Sequence, residues 1–322
     1  MRGYLVRQLA ASALLLLLVL TLTFVLVHVV PGDPFANLFE NPRVSASYKA
    51  HLREVYGLDR PLPVQYASWL AAAVRGEWGV SLSKQRPVAR VIAEALPATV
   101  LLGLTAMLIE YLLAVPLGIW AARRQGRLAD QLIRGLSLVV YSVPVFWLGL
   151  MAVLVFAYLL PWFPASHLRS PGADQLPAGA RLLDLLRHLA LPAIVLGASS
   201  AGGTARFVRN SMLEVLSQDY VRTARAKGLG EGRVMVVHAL RNALAPVLQL
   251  LGVSLPVLLN GALVVEVIFA WPGLGRIIFQ AISARDYPVI LATTTLTGVL
   301  VIAGNLVADL LHVAADPRLR HG

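Results

Sequence analysis

Leu9 to Val30 reads LAASALLLLLVLTLTFVLVHVV, without a single Asp, Glu, Lys or Arg. As a helix rising 1.5 Å per residue it would be ~33 Å long, enough to cross the ~30 Å hydrocarbon layer of a bilayer. Arg2 and Arg7 precede it, as they would a signal peptide. The apolar run, however, outlasts the usual h-region of about 7–15 residues, and no clear small-x-small cleavage site follows. Residues 1–30 are therefore expected to be a retained anchor helix.

Five further runs are long enough to span: 95–122, 135–163, 188–205, 242–265 and 287–308. The fourth is the shortest, and the second carries one acid, Glu110. Across the 322 residues, 57% are hydrophobic and 14% charged, against about 45–50% and about 25% in soluble domains. Mean hydropathy is +0.70. This excludes a water-soluble globular protein, and also a disordered chain, which needs low hydrophobicity and high charge. The expected fold is all-α: a polytopic membrane protein with six transmembrane helices.

The net charge of +11 would suggest nucleic acid in a soluble protein. Here it sorts by side. With a cytoplasmic N-terminus, the inside segments 1–8, 123–134, 206–241 and 309–322 hold 15 Lys/Arg in 70 residues. The outside segments 31–94, 164–187 and 266–286 hold 13 in 109. The excess lies inside, as the positive-inside rule requires. Both termini are expected in the cytoplasm of a multi-pass inner-membrane protein, with no nucleic-acid partner.

Two loops carry information. The long segment 31–94 has turn signals at Pro31-Gly32-Asp33-Pro34 and Pro61-Leu62-Pro63. Helical stretches are expected at Ser47–Tyr56 and Val64–Val74, making a small extracytoplasmic cap that either docks an external partner or shields helix ends. In 206–241, Asp219 is expected to N-cap a two-turn helix. Arg222, Arg225 and Lys227 lie toward its C-terminal end, where cations favour the helix dipole. Gly228 follows as a stop, since it accepts positive φ. About eight residues make a marginal helix in water, so this one needs packing from its own chain or from another protein. A second helical stretch is expected from Arg233 through His238 into the fifth span.

Several chemistries are absent. No G-x-x-x-x-G-K-[ST] phosphate loop occurs. Gly228-Leu229-Gly230-Glu231-Gly232 lacks the Lys-Ser/Thr ending. Gly273-Leu274-Gly275, after Trp271-Pro272, reads as a turn at the outer surface. The seven histidines have no metal-ligand spacing, no cysteine is present, and there is no G-x-S-x-G elbow. No metal site and no catalytic residue set is expected. Glu110, deep in the second span, is costly there and is a functional candidate by default. It lines a translocation path and contacts a cationic group of the substrate, or is protonated, or bonds to a neighbouring helix. One buried acid is thin support for a proton relay, although a stand-alone secondary transporter and a membrane scaffold remain the alternatives at this point.

The run Glu214–Leu229, followed by His238-Ala-Leu-Arg-Asn-Ala243 and Pro246, resembles the cytoplasmic loop of ABC-transporter permeases, and more narrowly the B-type permease of dipeptide/oligopeptide importers. Further segments agree in order: Tyr4–Leu9, Pro31–Pro34, Tyr56–Pro61, Gly79–Leu82, Leu96–Thr99, Ser142–Gly149, Val265–Gly275, Ala284–Pro288 and Asp316–Arg320. One departure is that the family-wide Glu-Ala-Ala falls on Arg222-Thr223-Ala224. The resemblance implies a permease core over 95–315, with a coupling loop at 206–241 and a short tail at 316–322. Asp219, Tyr220, Arg222, Thr223, Ala224, Arg225, Lys227 and Gly228 would meet an ATP-binding subunit. Glu266, Trp271, Pro272, Gly273 and Gly275 would form an outer gate or docking loop. It also implies a second homologous permease, two ATP-binding subunits that hold ATP and Mg, and an external substrate-binding protein. No cofactor is implied in this chain. The implied cargo is di- or oligopeptides; nickel complexes, glutathione and other small solutes are the alternatives.

Overall fold

The computed structural model describes residues 2–29, 59–240 and 262–315, with positions 47, 242, 243 and 247. The helix expected at Ser47–Tyr56, most of the fifth span and the tail lie outside the described residues. Among the described residues the chain is helical, and the sole extended pairing is a bridge between Val80 and Pro87. Four helices have the length and apolarity to cross a membrane, or five if one bent pair counts as a single span. The residues fall into two units, Met1–Pro97 with Arg276–Ile302, and Ala98–Gly275 with Ala303–Gly322.

In the first unit, residues 9–29 of the uncharged run lie within α1 (Arg2–Val29). α2 (Leu62–Val74) starts after Pro61; Pro63 fits its first turn because the missing N–H would have no helical partner there. Tyr66 and Trp69 of α2 pack on Phe24 of α1, with ring centroids 5.3 and 5.7 Å away. The Tyr66 and Thr21 hydroxyls are 2.7 Å apart. α3 (Val88–Arg123) opens in this unit. The outer segment expected as a loop at 266–286 instead contains α8 (Leu274–Ala284). Its apolar residues, Leu274, Ile277 and Ala281 among them, recur at helical spacing and are buried. α9 (Tyr287–Ala315) contains the sixth expected span.

Two segments about 200 residues apart meet at the start of α9. Asp286 is fully buried. Its Oδ2 accepts from Ser81 Oγ (2.6 Å), Ser83 Oγ (2.7 Å) and Ser83 N–H (2.9 Å). The carboxylate thereby ties the 80–87 turn to the helix start, and the preceding residue, Arg285, is held at φ +54°.

In the second unit, the expected third span is broken. α4 (Leu128–Ser142) and α5 (Val145–Ala152), the latter continued by π turns Val153–Leu159, meet at 95°. Pro144 is the cause: it donates no backbone hydrogen bond, and its ring drives Val143 out of helical space, to ψ 128°. The expected fourth span was too short. α6 (Ala178–Leu216) begins ten residues before it and ends eleven after it, because residues such as Arg181, Asp184 and Arg209 end a hydrophobic run without ending a helix.

Close approach holds this unit together. A Cβ at Gly197 would strike the Ala106 carbonyl of α3, and one at Gly202 would strike the Ser137 carbonyl of α4. Glycine lets α6 lie against both. The core around them joins Leu102, Ala106, Leu189, Leu196, Val265 and Trp271. Asp130 of α4, buried, takes a two-pronged bond from Arg209 of α6 (Nε–Oδ1 2.6 Å, Nη2–Oδ2 2.8 Å) and a third from Gly126 N–H (2.9 Å). This clamp had no signature in the sequence, since the partners are far apart and each reads as an ordinary loop charge.

Candidate functional site

The short basic helix is present as α7 (Asp219–Ala226). It follows α6 after only Ser217 and Gln218. Asp219 is not its N-cap: Gln218 holds that position, no side-chain cap bond forms, and Asp219 is the first helical residue. A carboxylate there still favours the dipole, and it lies 3.4 Å from Arg222 Nη1 on the exposed surface. The stop is as expected. Gly228 has φ +76°, and its N–H donates to the Arg225 carbonyl at 2.9 Å.

α7 has two faces. Val221 and Ala224, three residues apart, are buried against Val234, with Val215 and Leu216 of α6 and Leu229 alongside. Ala224 thus belongs to the inward face and is not available to a partner. Tyr220, Arg222, Thr223, Arg225 and Lys227 are exposed. The second helical stretch begins slightly earlier than expected, as Glu231–Arg233, and continues as π turns Val234–Leu240. It backs α7: Val234 fills the seam, Arg225 Nε pairs with Glu231 at 2.7 Å, and Asn242 Nδ2 donates to the Tyr220 hydroxyl at 2.9 Å. The result is a preformed basic ridge seated on the end of α6.

Glu110 is 2% exposed and accepts from Thr204 Oγ1 of α6 at 2.5 Å. The bond joins α3 to α6, and Ala106 and Ala114, four residues to either side of Glu110 on α3, and Ala201 and Ala205, near Thr204 on α6, are all buried. The bond to a neighbouring helix, one of the sequence readings, is present.

The residues expected in the outer loop, 266–275, form a clasp. Glu266 is fully buried and accepts from Thr99 Oγ1 at 2.6 Å, while that oxygen accepts from Leu274 N–H at 2.7 Å. Trp271, fully buried, donates from Nε1 to the Ala98 carbonyl at 2.8 Å. A Cβ at Gly273 would fall on the Glu266 carboxylate, so this glycine makes room for the acid. Pro272 continues the turn, and Gly275 passes close to Leu263. Thr99 sits in the Leu96–Thr99 segment, and its bridging role is visible only in space. Among the described residues no group of His, Cys, Asp or Glu is placed to hold a metal.

Residues 114–321 match the model of the family described as "Binding-protein-dependent transport system inner membrane component", and residues 1–103 match the N-terminal model of such membrane components. The chain is 40% identical over 322 residues to the oligopeptide transport system permease protein AppB of Bacillus subtilis, covering all of both chains. It is 42% identical to the di/tripeptide transport system permease protein DppB of Pseudomonas aeruginosa, covering 93% of each. It is 39% identical to the glutathione transport system permease protein GsiC of Salmonella paratyphi A, covering all of both. Among solved structures, a chain of the inward-facing MetNI methionine ABC transporter superposes with a TM-score of 0.55 at 16% identity, over 71% of this chain and 98% of that one. The last is a likeness of fold.

Proposed function

Because this chain belongs to the family of binding-protein-dependent transport system inner membrane components, we propose that it is the permease subunit of an ATP-driven importer for di- and oligopeptides. The observation that carries the mechanism is α7, an amphipathic helix whose apolar residues Val221 and Ala224 are spent on its own chain while its basic residues face outward. In this reading α7 seats in a groove of a separate ATP-binding subunit. ATP with Mg, held by two such subunits, closes them, and α7 passes the movement to α6 through the Val221–Val234–Leu216 seam. α6 carries α3 and α4 with it through the Gly197 and Gly202 contacts and the Asp130–Arg209 clamp. This chain hydrolyses nothing itself. A second, homologous permease completes the path, an external binding protein delivers cargo, and both termini face the cytoplasm.

The peptide assignment is supported by the names of the relatives. Glutathione, the cargo named for one of them, is itself a short peptide, so it is the nearest second reading. A proton-coupled transporter acting alone fits poorly, since Glu110 is buried and occupied by Thr204. The test is uptake of labelled di- and oligopeptides by vesicles holding both permeases and both ATP-binding subunits. ATP- and binding-protein-dependent accumulation is expected. Uptake driven by a proton gradient without the ATP-binding subunits would overturn the proposal.

A further inference from the structure

α2 (Leu62–Val74) is an unusual element for an extracytoplasmic cap. Its sequence, LPVQYASWLAAAV, contains no charged residue, and none of its residues is buried by the protein. One face, Tyr66 and Trp69, leans on Phe24 of α1. The opposite stripe, Val64, Ala67, Ala71 and Val74, is just as apolar and is exposed, Val74 to 83%. Apart from Gln65, whose amide donates to the Arg60 carbonyl, and the small exposed Ser68, the helix is apolar on both faces; such a helix belongs in a protein core or in lipid, and no core among the described residues covers this one.

Its position indicates which. The tether to α1 is at Thr21, eight residues before Val29 and so ~12 Å inside that end of the helix. At that level α1 itself exposes Leu22, Val25 and Leu26, a surface that suits lipid. Thirteen residues make a helix of only ~20 Å, too short to cross the bilayer. Arg60 before the helix and Arg75 after it are both exposed, placed to reach headgroup phosphates as interfacial arginines do.

We infer that α2 is a lipid-contacting interfacial helix, lying in the bilayer leaflet at the Val29 end of α1, with Val64, Ala67, Ala71 and Val74 against acyl chains. The partner of this part of the cap is the membrane, not a soluble protein.

The chain has no cysteine, so single thiols can be placed in an otherwise unaltered protein. Val64→Cys, Ala67→Cys, Ala71→Cys and Val74→Cys would be examined in bilayer discs of phosphatidylethanolamine and phosphatidylglycerol, where both faces are open to reagent. Leu18→Cys serves as the lipid-facing reference and Glu77→Cys as the water-facing one. Labelling by a charged maleimide is expected to be about tenfold slower at the four α2 positions than at position 77. Nitroxides there are expected to collide with oxygen in preference to a water-soluble nickel chelate, as at position 18. Labelling as fast as at position 77 would overturn the inference. So would protection that develops only when an external binding protein is added, which would make α2 a protein-docking surface. Because all four side chains are exposed, the substitutions leave packing intact. The labelling pattern is independent of which solute is carried.

Discussion

Val221→Ala is the perturbation that separates a seated α7 from an ordinary connecting loop. Val221 is fully buried in the seam with Ala224, Val234 and Leu216. Removing two methyl groups forfeits about 1.6 kcal/mol of transfer free energy, and the cavity left behind raises this to about 2–2.5 kcal/mol. Alanine is the better helix former by about 0.5 kcal/mol, which offsets part of the loss. The net, about 1.5–2 kcal/mol, shifts the balance between seated and unseated α7 by about ten- to thirtyfold. The helix has only eight residues and is marginal without that seat, so it should unfold locally while the membrane helices stay intact. Hydrogen exchange over 219–226 should accelerate by the same factor, and the number of peptides imported per ATP hydrolysed should fall. Unchanged exchange at α7 would refute the packing argument. Faster exchange with unaltered transport per ATP would refute the coupling role.

Other changes probe neighbouring links. Gly228→Pro removes an N–H bonded to the Arg225 carbonyl and demands φ near −65° where the backbone holds +76°; ATP hydrolysis should continue while uptake fails, measured side by side in vesicles. Arg222→Glu with Arg225→Glu should leave the fold intact, since the exposed pairs they break contribute under about 1 kcal/mol, yet should weaken co-purification of the ATP-binding subunit, most visibly at low salt. Glu110→Gln keeps an acceptor for Thr204, so uptake rate and peptide preference should match the parent; a changed preference would restore the translocation-path reading. Thr99→Val preserves shape but strips Glu266 of a donor and Leu274 N–H of its acceptor, destabilising the outer clasp by about 2–4 kcal/mol, readable as a lower unfolding temperature in detergent.

These predictions draw on sequence and space unevenly. α1, α3 and α9 were legible because apolar runs of spanning length have few alternatives. α7 was legible because a short basic segment ended by glycine has a local grammar of cap, charge and stop. The same grammar misplaced Asp219 by one position, since aspartate suits both the cap and the first turn, and it did not show that Ala224 turns inward. The ends of α6 were missed because charge marks where apolarity ends, not where a helix ends. The break in the third span follows from Pro144, yet a proline within a membrane helix is also compatible with a gentle kink, so the size of the 95° bend was not legible. Least legible were the buried polar pairs. Ser81 with Asp286, Thr99 with Glu266 and Asp130 with Arg209 join residues 79 to 205 positions apart. No local pattern connects them, although four of the six residues lie in segments that carried the family resemblance. Such pairs are bonded because an unpaired polar group at those depths would cost several kcal/mol.

The central claim is that α7 is where this chain receives the work of a separate ATPase. Thr223 lies on its exposed face, and a photoactivatable label on Thr223→Cys in the assembled, membrane-embedded transporter tests that claim most directly. The account predicts a crosslink to the ATP-binding subunit whose yield changes between the ATP-bound and nucleotide-free states. Labelling confined to lipid or to this chain, in both states, would contradict it.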